Sequence, residues 1–130
     1  MKGRTKSAIG KQNRKRGQDF ERLVAKELAK VWPEARRNLS QTRTAKKEGG
    51  DILGTPYFVE CKSSKKADLL DAYGRAVGEN PGPGTSVVIY RAGHSLMVFG
   101  PVEVLGWGCE GSITLESWLL ANEWRKPVPR

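Results

Sequence analysis

Apolar and polar positions along this chain follow two rhythms, and each rhythm predicts an element. From about Gln18 to Trp32 the residues Phe20, Leu23, Val24, Leu28 and Val31 recur at helical spacing until Pro33 ends the pattern. An amphipathic helix follows, with Glu21 at the edge of the apolar stripe and Arg22, Lys26 and Lys30 on other faces. Residues 35–39 suit a first strand. The polar stretch 40–50 has no periodic signal and reads as a mobile loop that leads directly into Asp51 and closes on a substrate. Asp51-Ile52-Leu53 then reads as a strand, Gly54-Thr55-Pro56 as a tight reversal, and Tyr57-Phe58-Val59-Glu60 as the strand that returns beside it.

Helical spacing resumes at Leu69, Leu70, Tyr73, Ala76 and Val77, where Gly74 and Gly78 weaken the helix or permit close packing. This second helix is expected to cover the sheet. After the break at Asn80-Pro81-Gly82-Pro83-Gly84, residues 86–90 and 96–99 read as two strands around a turn at Ala92-Gly93-His94. Thr114 is placed to cap a last helix through Leu115, Trp118, Leu119 and Trp124, which stops before Pro127. Helices interleaved with strands in this order predict an α/β domain.

The chain has 130 residues, a length suited to one domain with its own core. Lys and Arg number 23 against 14 Asp and Glu, a formal net charge of +9, which favours a polyanionic partner such as nucleic acid. Lys2, Arg4, Lys6, Lys11, Arg14, Lys15 and Arg16 all precede the first acidic residue, Asp19. Residues 1–16 therefore read as a basic, flexible arm able to lie along phosphates, and 17–130 as a single domain. A solubilising tail has the same composition, and the steepness of salt dependence separates the two. Cys61, Cys109 and His94 are too few for a disulfide framework or a four-ligand zinc site. Cys61 is expected to face the core, and His94 to sit in a surface turn. No apolar run is long enough to span a bilayer and no signal-peptide core follows the basic start, so an intracellular, cytoplasmic location is expected.

Candidate chemistry centres on Gly49-Gly50-Asp51 and Glu60-Cys61-Lys62. In a strand, Glu60 and Lys62 emerge on one side about 7 Å apart, whereas Val59 and Cys61 point the other way. A hairpin brings Asp51 back beside Glu60, and two adjacent carboxylates with a lysine are a device by which nucleases assemble a magnesium-dependent phosphodiester-cleaving site. Glu-x-Lys alone also describes an ordinary solvated strand face; glycine-led Asp51, Glu21 on an upstream helix and the cationic chain add to it.

A helix bearing Glu21, strands bearing Asp51 and Glu60-x-Lys62, then a covering helix and further strands together resemble the PD-(D/E)xK nuclease superfamily. Within it, Gly17-Gln18-Asp19-Phe20-Glu21-Arg22 after a basic arm, Arg36-Arg37, Gly50-Asp51-Ile52 and Val59-Glu60-Cys61-Lys62-Ser63 are most similar to archaeal-type Holliday-junction resolvases, of which small phage-borne forms are known. The resemblance spans roughly Lys11 to Phe99. It implies a restriction-endonuclease-like core, a mixed central β-sheet flanked by helices. It also implies an endonuclease selective for branched DNA that resolves four-way junctions by paired symmetric nicks, leaving 5′-phosphate and 3′-hydroxyl ends. On the same ground Glu21, Asp51 and Glu60 hold magnesium, for which manganese substitutes, and Lys62 acts beside them. Arg14, Lys15, Arg16, Arg22, Arg36, Arg37, Arg43, Lys46 and Lys47 are the candidate DNA contacts. Two departures are visible: Gly50 stands where the family name has proline, and the helix after Lys62 lacks the glutamine frequent there.

Two nicks placed symmetrically call for two equivalent sites, so a homodimer is expected, with Trp107, Trp118, Leu119 and Trp124 available either to complete the core or to meet a partner subunit. Two other readings stay open at this point. One is a less selective nicking, restriction-like or repair endonuclease of the same fold. The other is a basic nucleic-acid-binding module whose carboxylates are structural.

Overall fold

A computed structural model describes residues 6–39, 50–63, 69–80, 82, 85–101 and 111–125; for 6–9, 13, 111 and 123–125 it describes the backbone alone. The elements run α1 (Lys6–Leu28), β1 (Arg36–Arg37), β2 (Ile52–Leu53), β3 (Phe58–Lys62), α2 (Leu69–Glu79), β4 (Ser86–Ala92), β5 (Ser95–Gly100), β6 (Gly111–Thr114) and α3 (Leu115–Arg125). The six strands form one sheet in the order of the sequence. Neighbours are antiparallel except β3 and β4, which run parallel and are joined through α2. The chain is thus mixed α/β, with a six-stranded mixed sheet flanked by helices.

The alternation of side chains sorts the sheet into two faces. Ile52, Val59, Val87, Ile89 and Val98 share a core with Phe20, Val24 and Leu28 of α1 and with Leu115, Trp118 and Leu119 of α3. Residues one step out of phase, Phe58, Ser86 and Val88, are also buried, and they face α2. Ser86 Oγ donates to the carbonyl oxygen of Ala76 at 3.1 Å, which ties that face to the inner side of α2, where Ala72 and Ala76 are buried. Burial on both sides explains the unbroken apolar run in β4, the central strand that pairs with β3 and β5. Trp32, Tyr57 and Trp118 pack with ring centroids 5.0–5.6 Å apart, and the Tyr57 hydroxyl bonds Asn122 Oδ1 at 2.8 Å, closing the α3 end of the core.

Several expectations are corrected. The first helix begins at Lys6 rather than near Gln18, so from residue 6 to 16 the expected flexible arm is continuous with α1. Lys, Gln, Arg and Ala are good helix formers, and they extend the helix where no apolar stripe announces it. At its other end the helix ends at Leu28 and passes through turns, with the Trp32 amide donating to Leu28 O at 2.9 Å. The four-residue β6 was not expected at all. Of the two roles open to them, Trp118 and Leu119 take that of completing the core of the single chain, where they are 0% and 7% exposed. Trp107 and the side chain of Trp124 lie outside the described residues, as does the expected loop over 40–49. Cys61 is half-buried and packs against the α1 side of the core, as its place in the strand predicts. Among the described residues no helix is long and apolar enough to cross a membrane.

Candidate active site

Gly50 sets the geometry of the site. Its φ of +72° lies in the left-handed region, and a Cβ there would stand 2.7 Å from the carbonyl oxygen of Val59. This backbone lets the Asp51 amide donate to Val59 O at 2.8 Å. The Asp51 carboxylate in turn accepts through Oδ2 from the Cys61 amide at 2.9 Å. Asp51 therefore takes the place of a ladder acceptor where β2 begins, and lies over β3 between Val59 and Cys61. Proline could not stand at position 50, because the turn requires a positive φ that proline does not adopt.

Asn38 holds the same segment from the other side. Its amide donates to Asp51 O at 2.9 Å, and its buried side-chain Nδ2 donates to Gly50 O at 2.9 Å. Nothing in the local sequence pattern marks Asn38, because its partner is twelve positions away along the chain.

Glu60 follows Val59 in β3, so while Val59 enters the α1 core, Glu60 projects from the sheet face that α2 covers. Its carboxyl is pushed up to about 7, first by burial and next by the negative charge of Asp51, then lowered by Lys62, raised by Glu79 and lowered by Arg75. Arg75 and Glu79 on α2 thus belong to the surroundings of the site although the sequence pattern did not single them out. Lys62, half-buried, lies two positions beyond Glu60 on the same face and opposite Tyr90 of β4. Asp51, Glu60 and Lys62 are brought together as the spacing predicts.

Glu21 is placed differently. Its Oε2 accepts from Arg37 Nε at 3.3 Å, and both side chains are largely buried, 13% and 16% exposed. Arg37 pairs across β1–β2 with Ile52, a residue of the α1-side core, so this ion pair lies on the side of the sheet opposite Glu60. Among the described residues no three His, Cys, Asp or Glu side chains gather to hold an ion; the close carboxylates are the pair Asp51 and Glu60. The donor set is nonetheless all oxygen, and one of the two carries an ionisation penalty from burial and from the other, a penalty that a hard cation relieves.

The candidate DNA contacts divide into three groups. Arg14, Lys15 and Arg16 are exposed on α1, and Arg36 is exposed with its guanidinium on Glu34 O at 3.0 Å. Arg22 is exposed but paired with Asp19 at 2.8 Å, and Arg37 is engaged by Glu21. Arg43, Lys46 and Lys47 lie outside the described residues. Arg91, not singled out from the sequence, stands over the Phe20 ring at 5.5 Å from its centroid and joins the end of β4 to α1. A cleft of about 550 Å³ near the β4–β5 turn, lined by Lys30, His94, Leu115 and Glu116 among others, shares no residue with the Asp51–Glu60 pair.

The chain matches no protein-family model, and comparison with curated proteins and with solved structures gives no significant match.

Proposed function

We propose that this protein is a metal-dependent endonuclease of the restriction-endonuclease-like class that resolves four-way DNA junctions by paired symmetric nicks. The observation that carries this reading is the Asp51–Glu60 pair with Lys62 on the same face of β3. Glu60 is held in conditions that disfavour a bare anion, pushed up to about 7, and such a perturbed carboxylate beside a second one is more common at working sites than on inert surface. The order α1–β1–β2–β3–α2–β4 and the net charge of +9 agree with it.

Asp51 and Glu60 are the residues that hold magnesium or manganese. When bound, the ion supplies positive charge to the scissile phosphate and makes water more acidic. The chain's own contribution is to place these groups. The Cys61 amide and the Gly50 turn orient Asp51, and burial strips water from Glu60. Lys62 keeps a cation two positions from Glu60, where charge develops on a phosphodiester under attack. The cations of α1 draw the DNA backbone toward the sheet without reading bases. Two such sites in a homodimer supply the symmetric nicks, and exposed Leu70 and Val77 on α2 offer apolar surface for pairing.

The deciding experiment incubates a labelled four-way junction and a matched linear duplex with magnesium. Paired nicks confined to the junction are expected, with Asp51→Asn lowering the rate on the order of 10²-fold or more while junction binding in calcium persists. Equal cutting of both DNAs would leave a less selective nuclease of the same chemistry. Tight binding without magnesium-dependent cutting would make the protein a binding module and the carboxylates structural.

A further inference from the structure

Strand β1 is two residues long and among the described residues pairs with β2 alone, so its ladder gives it little hold on the sheet. Two other contacts secure it. The Arg37 guanidinium is clasped by Glu21 of α1 at 3.3 Å in a largely buried pair. The next residue, Asn38, is 6% exposed and donates two hydrogen bonds of 2.9 Å to successive carbonyls, its side chain to Gly50 O and its backbone amide to Asp51 O. A continuous set of polar contacts therefore runs from α1 through Arg37 and Asn38 to Asp51, whose carboxylate ends it on the Cys61 amide.

We propose that Asn38 is a positioning residue of the active site, fixing the direction of the Asp51 carboxylate, and that the Glu21–Arg37 pair anchors the strand that carries it. This rests on the reading of Asp51 as a cation ligand. It gives Glu21 a role through Arg37 and not by direct ligation. The physical reason is the geometry of Gly50. Glycine takes a positive φ without strain and is the least restricted residue, so Gly50 does not itself fix the direction of its peptide, which is set by the groups that bond it. Val59 constrains the peptide from β3 and Asn38 constrains it from β1. Without the Asn38 side chain, Gly50 O loses a buried donor and the peptide is held from β3 alone, which loosens the direction of the carboxylate.

Amide hydrogen exchange in the full chain without metal, followed by NMR, reads this directly. In Asn38→Ala and in Arg37→Gln the Cys61 amide is expected to exchange about tenfold faster while the amides of β4 keep their wild-type rates, the signature of local opening. Glu21→Gln is expected to match Arg37→Gln, and the double variant to be no worse than either, because both residues act as one unit. Calcium titration of the same proteins is expected to show about tenfold weaker binding in each, as orienting partners of metal ligands typically give. An unchanged Cys61 rate in Arg37→Gln, or additive effects of Glu21→Gln and Arg37→Gln, would overturn the proposal. If Asn38→Ala disturbs β4 as well, the more peripheral Arg37→Gln decides. Failure of the wild type to bind calcium, with the exchange pattern as expected, would remove the metal reading and leave the positioning of Asp51 established.

Discussion

Glu60 is neutral over more of the pH range in the folded chain than in the unfolded one. Its carboxyl is raised from 4.5 to about 7, so between these values the folded state binds more protons and stability falls as pH rises. Below 4.5 the penalty is absent; above about 7 it is complete. Glu60→Gln removes the ionisable group and keeps the shape. At pH 8 without divalent cations this variant is expected to be more stable than wild type, by on the order of 2 kcal/mol after allowance for solvent screening. At pH 4 the difference should disappear, and thermal unfolding at the two pH values checks it. A lower melting temperature for the variant at pH 8 would mean that Glu60 is satisfied as an anion, against the electrostatics of the site. Addition of magnesium should reverse the order at pH 8, because the cation stabilises the protein that binds it. Protons compete for the same oxygens, so the apparent affinity for the ion should climb as pH rises toward 7.

At the scale of the elements, Thr114 shows how one residue serves two structures. It ends β6 and begins α3, where its Oγ1 accepts from the Ser117 amide at 3.2 Å, the N-cap contact its position predicts. Thr114→Ala is expected to cost about 1 kcal/mol, the usual value of such a cap. Urea denaturation should show a lower midpoint with an unchanged slope, since no more surface is exposed on unfolding. The cap was legible because it is local: a threonine followed by an apolar stripe at helical spacing. The hairpin turn at Gly93, with φ +60°, was legible for the same reason, and so were the faces of Glu60 and Lys62, which depend only on strand alternation. What escaped was non-local. β6 has few apolar residues and earns its place by pairing with β5, Val98 opposite Ile113. The first turns of α1 lack an apolar stripe, so a search for amphipathic rhythm passes over them. The separation of Glu21 from Glu60 follows from which side of the sheet α1 covers, and no spacing along the chain encodes that. Asn38 likewise acts through the Gly50–Asp51 peptide across the sheet, so its part in the site appears only when the strands are placed.

For the whole molecule, the extended α1 changes what the excess of cations can do. In a flexible arm the positive residues would sample many directions, whereas Lys11, Arg14 and Lys15 at spacings of three and four share one exposed face of the helix. α1 packs its later turns on the sheet through Phe20, Val24 and Leu28, so that basic face is carried on the same rigid element as the core. A rigid face makes a fixed number of phosphate contacts, and each contact releases counterions. Junction binding in calcium should therefore fall with salt at a log-log slope of roughly −0.9 per phosphate on duplex arms. Replacing Lys11, Arg14 and Lys15 together by Gln should make that slope shallower by about 2–3 units. Under magnesium the same variant should raise KM for the junction and leave kcat near wild type, as expected of residues whose proposed phosphate contacts are alike in the ground and transition states. Asp51→Asn should do the reverse, abolishing turnover with the salt slope intact. A slope unchanged by the triple substitution would show that the basic face does not lie against DNA, and that the contacts come from elsewhere on the sheet side of the molecule.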